Sequence, residues 1–198
     1  MIHPVRPWQL FRNLGSNNLA SLVIPTVSCA ESLTVFSLEA LILVAVARMI
    51  RAASILELGT SLGYTALHLA MNTSAQITTI DIERRACVFE DVRWNGQWKE
   101  RIERRIVSTR DLDPAFLQHR DMVFVDADHS YDSVRLDTAL ALAATPRLIV
   151  WHDYCPANPE VMRWLNELAE VHDLVHVEDS WLVMWFDNKE DEWNVIRP

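Results

Sequence analysis

Glycine is scarce in this chain, with four residues in 198. Cysteine is scarcer: Cys29, Cys87 and Cys155 are odd in number and far apart. They make neither a disulfide framework nor a zinc motif, and read as reduced thiols of a cytoplasmic protein. Long apolar runs are missing too. The longest uncharged one, Ala40–Ala47, falls far short of the ~18 residues of a membrane span. Positive charge is in deficit, with 18 Lys and Arg against 27 Asp and Glu and a net charge of −9. Neither a nucleic acid nor an anionic membrane is therefore an expected partner. The first residues hold no basic segment leading into an apolar stretch, so no secretory signal is expected. Apolar residues, by contrast, make up half of the chain. That content excludes disorder, and the length suits a single domain with a full core.

No repeat or linker divides the chain. We expect one domain over 1–198, with an irregular arm at 1–36 and a core at 37–198. The arm holds three prolines, the cluster Gly15-Ser16-Asn17-Asn18 and a short helix near Trp8–Leu14. A helix should run from Ser37 to about Arg51. Apolar runs and helical spacings then alternate. Strands are expected at Ser54–Leu58, Gln76–Ile80, Arg105–Val107, Met122–Val125 and Leu148–Trp151. The intervening helices are Tyr64–Met71, about Arg84–Asn95, Pro114–His119 and Ser133–Ala143, with Pro159–Val171 after the fifth strand. Leu174–Val177 and Trp181–Phe186 flank Glu178-Asp179-Ser180 as a hairpin. The fold expected is α/β: a Rossmann-like, mostly parallel, seven-stranded sheet with helices on both faces and a C-terminal antiparallel hairpin. Its ligand site should lie at the C-terminal ends of the strands, where strand order reverses.

Polar residues cluster at those ends. The first strand runs into Glu57-Leu58-Gly59-Thr60-Ser61-Leu62-Gly63-Tyr64. Two glycines permit a sharp turn and close approach to a ligand. The G-x-G-x-x-G pattern of pyrophosphate loops is absent, and Glu57 suits a cationic ligand better. The second strand ends at Asp81, about 20 residues past the loop, where an acid can accept ribose hydroxyls. The fourth and fifth strands end in Asp126-Ala127-Asp128-His129 and His152-Asp153-Tyr154. Carboxylates and imidazoles gathered on one edge are reasonable ligands for a divalent cation. Each feature alone has a plainer reading as a tight turn, a helix cap or a satisfied core group.

Ile55–Ala70, Ile77–Asp81, Asp121–Tyr131 and Leu148–Tyr154 together resemble four consecutive motifs of class I S-adenosylmethionine-dependent methyltransferases. The subgroup they are most similar to is the metal-dependent small-molecule O-methyltransferases, of the catechol, caffeoyl-CoA and antibiotic-sugar types. The resemblance spans roughly residues 37–155. It implies S-adenosylmethionine as cofactor, bound by Glu57, Gly59, Ser61, Gly63, Tyr64, Asp81, Ser108 and Asp126, with Thr109 beside Ser108 near the adenine. It also implies a divalent cation, magnesium by expectation, on Asp126 and a pair ending the fifth strand. That pair is His152-Asp153 or Asp153-Tyr154 depending on register, and imidazole is the better ligand. His129 is the implied base, with Asp128 as the alternative. The partner is a small-molecule hydroxyl acceptor, and a homodimer through the arm and Leu38–Met49 is left open.

Rival readings leave parts of this pattern idle. Gly59-Thr60-Ser61-Leu62-Gly63 is also G-x-S-x-G, the elbow of a serine hydrolase with Ser61 as nucleophile. That reading gives Asp81 and the Asp126 segment nothing to do. A nicotinamide oxidoreductase lacks its glycine pattern. A non-catalytic S-adenosylmethionine-binding protein would not need the cluster at 126–153. The eight tryptophans read as core or interface residues, with Trp151 set apart because it adjoins His152.

Overall fold

Short apolar runs become strands because their alternate side chains have two faces to fill. A computed structural model describes residues 2–12, 37–90 and 96–187. In it β1 spans His3–Val5, β2 Ser54–Leu58, β3 Gln76–Asp81, β4 Ile102–Ile106, β5 Met122–Val125, β6 Leu148–Trp151, β7 Val175–Val177 and β8 Val183–Phe186. The α-helices are α1 Pro7–Arg12, α2 Ser37–Met49, α3 Tyr64–Asn72, α4 Pro114–Leu117, α5 Tyr131–Ala143 and α6 Pro159–Leu168. All four residues of β5 and of β6 are buried. Ile55, Ile77, Phe124 and Val150 pack into one core with Ile42, Val46 and Leu67 from α2 and α3. Leu56, Ile80, Val125 and Ile149 pack into a second, with Val134, Ala141, Val161 and Leu165 from α5 and α6. The sheet is thus sandwiched between two helical layers.

The eight strands run in the order β1-β7-β8-β6-β5-β2-β3-β4. Only β8 is antiparallel to its neighbours, β6 and β7. From β2 the chain steps outward through β3 to β4, then returns to β5 on the other side of β2 and moves on to β6. Strand order therefore reverses between β2 and β5, which opens a crevice beyond their C-terminal ends.

The sheet has one strand more than the seven the sequence suggests. His3–Val5 joins β7 in parallel register at the edge. Pro4 is tolerated because an edge strand leaves one side of its backbone unpaired. The helix expected over Arg84–Asn95 is absent from its described part, which holds only a 3₁₀ turn at Val88–Glu90. Lateral bonds take over there. Val88 N–H donates to Leu62 O at 2.8 Å, and Arg104 donates to the carbonyls of Arg85 and Glu83 at 2.7 and 3.4 Å. Residues 91–95, and the arm expectations over 13–36 with Cys29, lie outside the described residues.

Candidate functional site

The loop joining β2 to α3 is shaped by backbone torsions. Gly59, Ser61 and Gly63 all have positive φ, at 101°, 46° and 72°. At Gly59 a Cβ would lie 2.0 Å from the carbonyl oxygen of Asp126. The loop after β2 and the loop after β5 therefore touch at this residue, and only glycine fits. At Gly63 a Cβ would meet the Phe89 ring at 2.3 Å, so the segment after β3 closes over the start of α3.

Asp81 ties that loop down. Its Oδ2 accepts from Ser61 N–H at 2.8 Å and its Oδ1 from Glu83 N–H at 2.9 Å. Each oxygen keeps a lone pair for a ligand hydroxyl. Glu57 lies beneath, buried, and accepts a short hydrogen bond from the Thr79 hydroxyl, which is itself bonded to Thr60 Oγ1 at 2.7 Å. Burial pushes the Glu57 carboxyl up to about 8, opposed by the Thr79 bond and aided by Asp126 and Asp81. A cation placed over the loop would restore its charge.

Across the crevice, Asp126, His152 and Asp153 each offer a ligand atom, all within 4.8 Å of one another. Asp153, the second residue after β6, takes a positive φ of 63°. His152 Nδ1 lies 3.3 Å from Asp126 Oδ1 and 3.1 Å from Asp153 Oδ2. It is buried and has no well-directed hydrogen bond. An imidazole nitrogen left free between two carboxylate oxygens is a donor set that fits a divalent cation. On the far side of the ring, Nε2 lies 3.1 Å from Glu39 Oε2. His129 Nε2 is 2.7 Å from Asp153 Oδ2, and that bond raises the His129 pKa against the effect of burial. Burial also opposes charge on His152, yet the carboxylates of Asp126, Asp153 and Glu39 around the ring win and push it up to about 12. Desolvation of Asp153 is outweighed by the two histidines beside it, His129 and His152, which hold its carboxyl well below the usual carboxylate range.

The remaining expected residues are spoken for differently. Tyr154 donates its hydroxyl to Asn166 Oδ1 at 3.0 Å, so the structure joins Asp126 to His152 and Asp153 instead. Asp128 Oδ1 accepts from Ser130 N–H at 2.7 Å, which forms the turn into α5. Ser108 Oγ accepts from Arg110 N–H at 3.2 Å and caps a 3₁₀ turn at Thr109–Asp111. Thr109 hydrogen-bonds the buried Asp137. Tyr64 packs edge-on against His68, with ring centres 4.6 Å apart. Trp151 is a core residue and donates its indole N–H to Thr138. No histidine bonds Ser61 among the described residues, so the hydrolase elbow has no partner base there.

Sequence reasoning missed Glu39 and Trp181. Glu39 is buried in the first turn of α2, and its Oε1 accepts from Trp181 N–H at 2.7 Å. The Trp181 ring stands 5.9 Å from His152. An acidic residue inside the otherwise apolar stretch Leu38–Val46 was the one available signal.

The comparisons with known proteins come to the same architecture. A family model described as "Methyltransferase domain" matches residues 56–154, half of the chain. No curated protein matches it by sequence. Among solved structures, the O-methyltransferase TomG from Streptomyces achromogenes, involved in tomaymycin synthesis and in complex with SAM, is similar with a TM-score of 0.58. It is 20% identical, over 79% of this chain and 82% of that one. An O-methyltransferase from Bacillus cereus in complex with SAH is similar with a TM-score of 0.57 at 17% identity, over 91% of both chains. A SAH-bound methyltransferase from Podospora anserina gives 0.59 at 15%, over 90% of this chain and 88% of that one. At these identities the likeness is one of fold.

Proposed function

This chain belongs to the methyltransferase-domain family, and on that premise we propose that it transfers the methyl group of S-adenosylmethionine to a hydroxyl of a small molecule. One observation carries the reading. A loop with three positive φ values, a strand-end acid and a buried acid sit at the point where strand order reverses, in contact with Asp126. The free lone pairs of Asp81 suit the two ribose hydroxyls. Glu57, beneath the loop, suits the sulfonium end, because a nearby cation favours its ionised form.

Asp126, His152 and Asp153 would hold the divalent cation, which when bound lowers the pKa of an acceptor hydroxyl and orients it. His129, whose Nε2–H is held by Asp153, takes the acceptor proton at Nδ1. The acceptor oxygen then bonds to the methyl carbon, and the carbon–sulfur bond breaks with its electron pair left on sulfur. Collinear placement of the three atoms across the crevice supplies much of the acceleration. Transfer removes the cofactor's positive charge, weakens its pull on Glu57 and Asp81, and favours release. The free buried thiols Cys87 and Cys155 fit the cytoplasmic setting in this proposal. Among the described residues, no helix is long and apolar enough to cross a membrane.

A second reading rests on the elevated His152 pKa. As an imidazolium, His152 would itself neutralise Asp126 and Asp153, and transfer would need no metal. One experiment separates the readings. The protein is incubated with S-adenosylmethionine and a panel of catechol, sugar and aliphatic hydroxyl acceptors, with a divalent metal or with chelator, and products are followed by mass spectrometry. Methylated acceptor and S-adenosylhomocysteine that vanish with chelator are the expected result. Turnover indifferent to chelator favours the imidazolium site. Cofactor binding without transfer to any hydroxyl leaves a non-catalytic binding protein.

A further inference from the structure

His152 reaches the cluster from β6, but what holds its ring comes from two distant parts of the chain. Glu39 stands 113 residues earlier and Trp181 lies in the turn before β8. Glu39 is buried, with one carboxylate oxygen on the Trp181 backbone N–H at 2.7 Å and the other 3.1 Å from His152 Nε2. A carboxylate can only accept. With a cation held between Asp126 and Asp153, the ring keeps its one proton on Nε2, facing Glu39, and Nδ1 turns its lone pair to the metal. That nitrogen is the orphaned atom flanked by Asp126 and Asp153, in a residue only 8% exposed.

We infer that Glu39 is a positioning residue that fixes His152 as a nitrogen ligand, and that the site is thereby built for a first-row transition cation in preference to magnesium. The inference rests on the metal-site reading above and deepens it. Imidazole is a favoured donor for cobalt, nickel or zinc, whereas magnesium prefers oxygen and gives up water reluctantly. Carboxylates behind ligating histidines orient the ring and raise its basicity, and losing one typically weakens metal binding by about 10- to 100-fold.

The test uses the full chain, stripped with chelator and titrated with Co²⁺ and Mg²⁺ by calorimetry, with Mn²⁺ as a paramagnetic probe for pulsed EPR. The expected result is Co²⁺ bound at least about 100-fold tighter than Mg²⁺, with nitrogen modulation from His152 in the Mn²⁺ spectrum. Glu39→Gln turns an amide N–H toward Nε2 while it can still accept from Trp181. It should lose the nitrogen signal and about 10- to 100-fold in Co²⁺ affinity, yet keep its circular dichroism and its affinity for S-adenosylhomocysteine, which depends on the opposite wall. Should Glu39→Gln fail to fold, Glu39→Asp, which draws the carboxylate back from Nε2, takes its place, and a folded variant with unchanged nitrogen signal and Co²⁺ affinity overturns the inference. Mg²⁺ bound as tightly as Co²⁺, or Mn²⁺ bound with no nitrogen signal, overturns the inference and leaves the metal site standing. Failure of the wild type to bind any of the three ions overturns the inference and the metal site together, while cofactor binding and methyl transfer remain open to their own test.

Discussion

The two walls of the crevice are built by different means. On the β2–β3 side the geometry is mostly backbone: three positive φ values within five residues, and a carboxylate that accepts two N–H groups. On the β5–β6 side it is side chains, brought from α2, the ends of β5 and β6, and the turn before β8. Backbone geometry of the first kind is encoded locally, so a short sequence window specifies it. An assembly of the second kind exists only once the sheet and α2 have packed, and every member depends on the others. The contact between Gly59 and the Asp126 carbonyl is where the two walls meet.

Replacing Gly59 is the most severe way to break this pairing. Gly59→Ala combines a strained φ, at about 1–3 kcal/mol, with overpacking at about 1–3 kcal/mol. A loss of about 4 kcal/mol in urea denaturation is expected, with weaker binding of both cofactor and metal. Were only cofactor binding affected, the two walls would be mechanically separate.

Paired substitutions should then show that each wall serves its own ligand. Asp81→Ala removes one charge-assisted bond to the loop, another to Glu83 N–H, and the proposed ribose acceptor, and at about 1.5–3 kcal/mol per bond affinity for S-adenosylhomocysteine should fall about 100-fold or more. Metal affinity, read by calorimetry, should hold. Asp126→Ala should do the reverse, because it takes one ligand from the metal and none from the ribose.

This contrast also explains what could be read from the sequence. β2, β5 and β6 were legible because a strand buried on both faces is a continuous apolar run, and Met122–Val125 and Leu148–Trp151 have the bounds expected of them. Gly59, Gly63 and Asp81 were legible because a tight turn and a strand-end acid are local features. Strand β1 was not, since Pro4 argues against a strand unless its edge position is known. Residues Arg84–Glu90 look helical by periodicity, but Arg104 from β4 takes their carbonyls, and that competition is tertiary. Glu39 and Trp181 carry no local mark of their place beside His152, because it comes from contacts 113 and 142 residues apart in sequence.

A smaller effect separates the walls by pH. The Glu57 carboxyl is raised from 4.5 to about 8, so the unfolded chain gives up this proton at lower pH than the folded one. The stability it contributes is fully present below about 4.5 and is lost as pH rises through about 8. Denaturation midpoints of the cofactor-free protein should fall across that window, by an amount on the order of a few kcal/mol. Glu57→Gln should flatten the slope, and an unchanged slope would remove Glu57 from the account.

The smallest expected change is at Ser61. Ser61→Gly relieves a left-handed residue with a φ of 46°, worth up to about 1 kcal/mol as a higher melting temperature. Methyl transfer should persist. Its loss together with a hydrolase activity would give Ser61 a chemical role that its surroundings do not support.

The most direct measurement is a crystal structure of the chain grown with S-adenosylhomocysteine. The account predicts both ribose hydroxyls on the Asp81 carboxylate and the thioether above the Gly59–Gly63 loop, facing Asp126. An empty crevice at saturating ligand, or a nucleoside bound elsewhere, would contradict it.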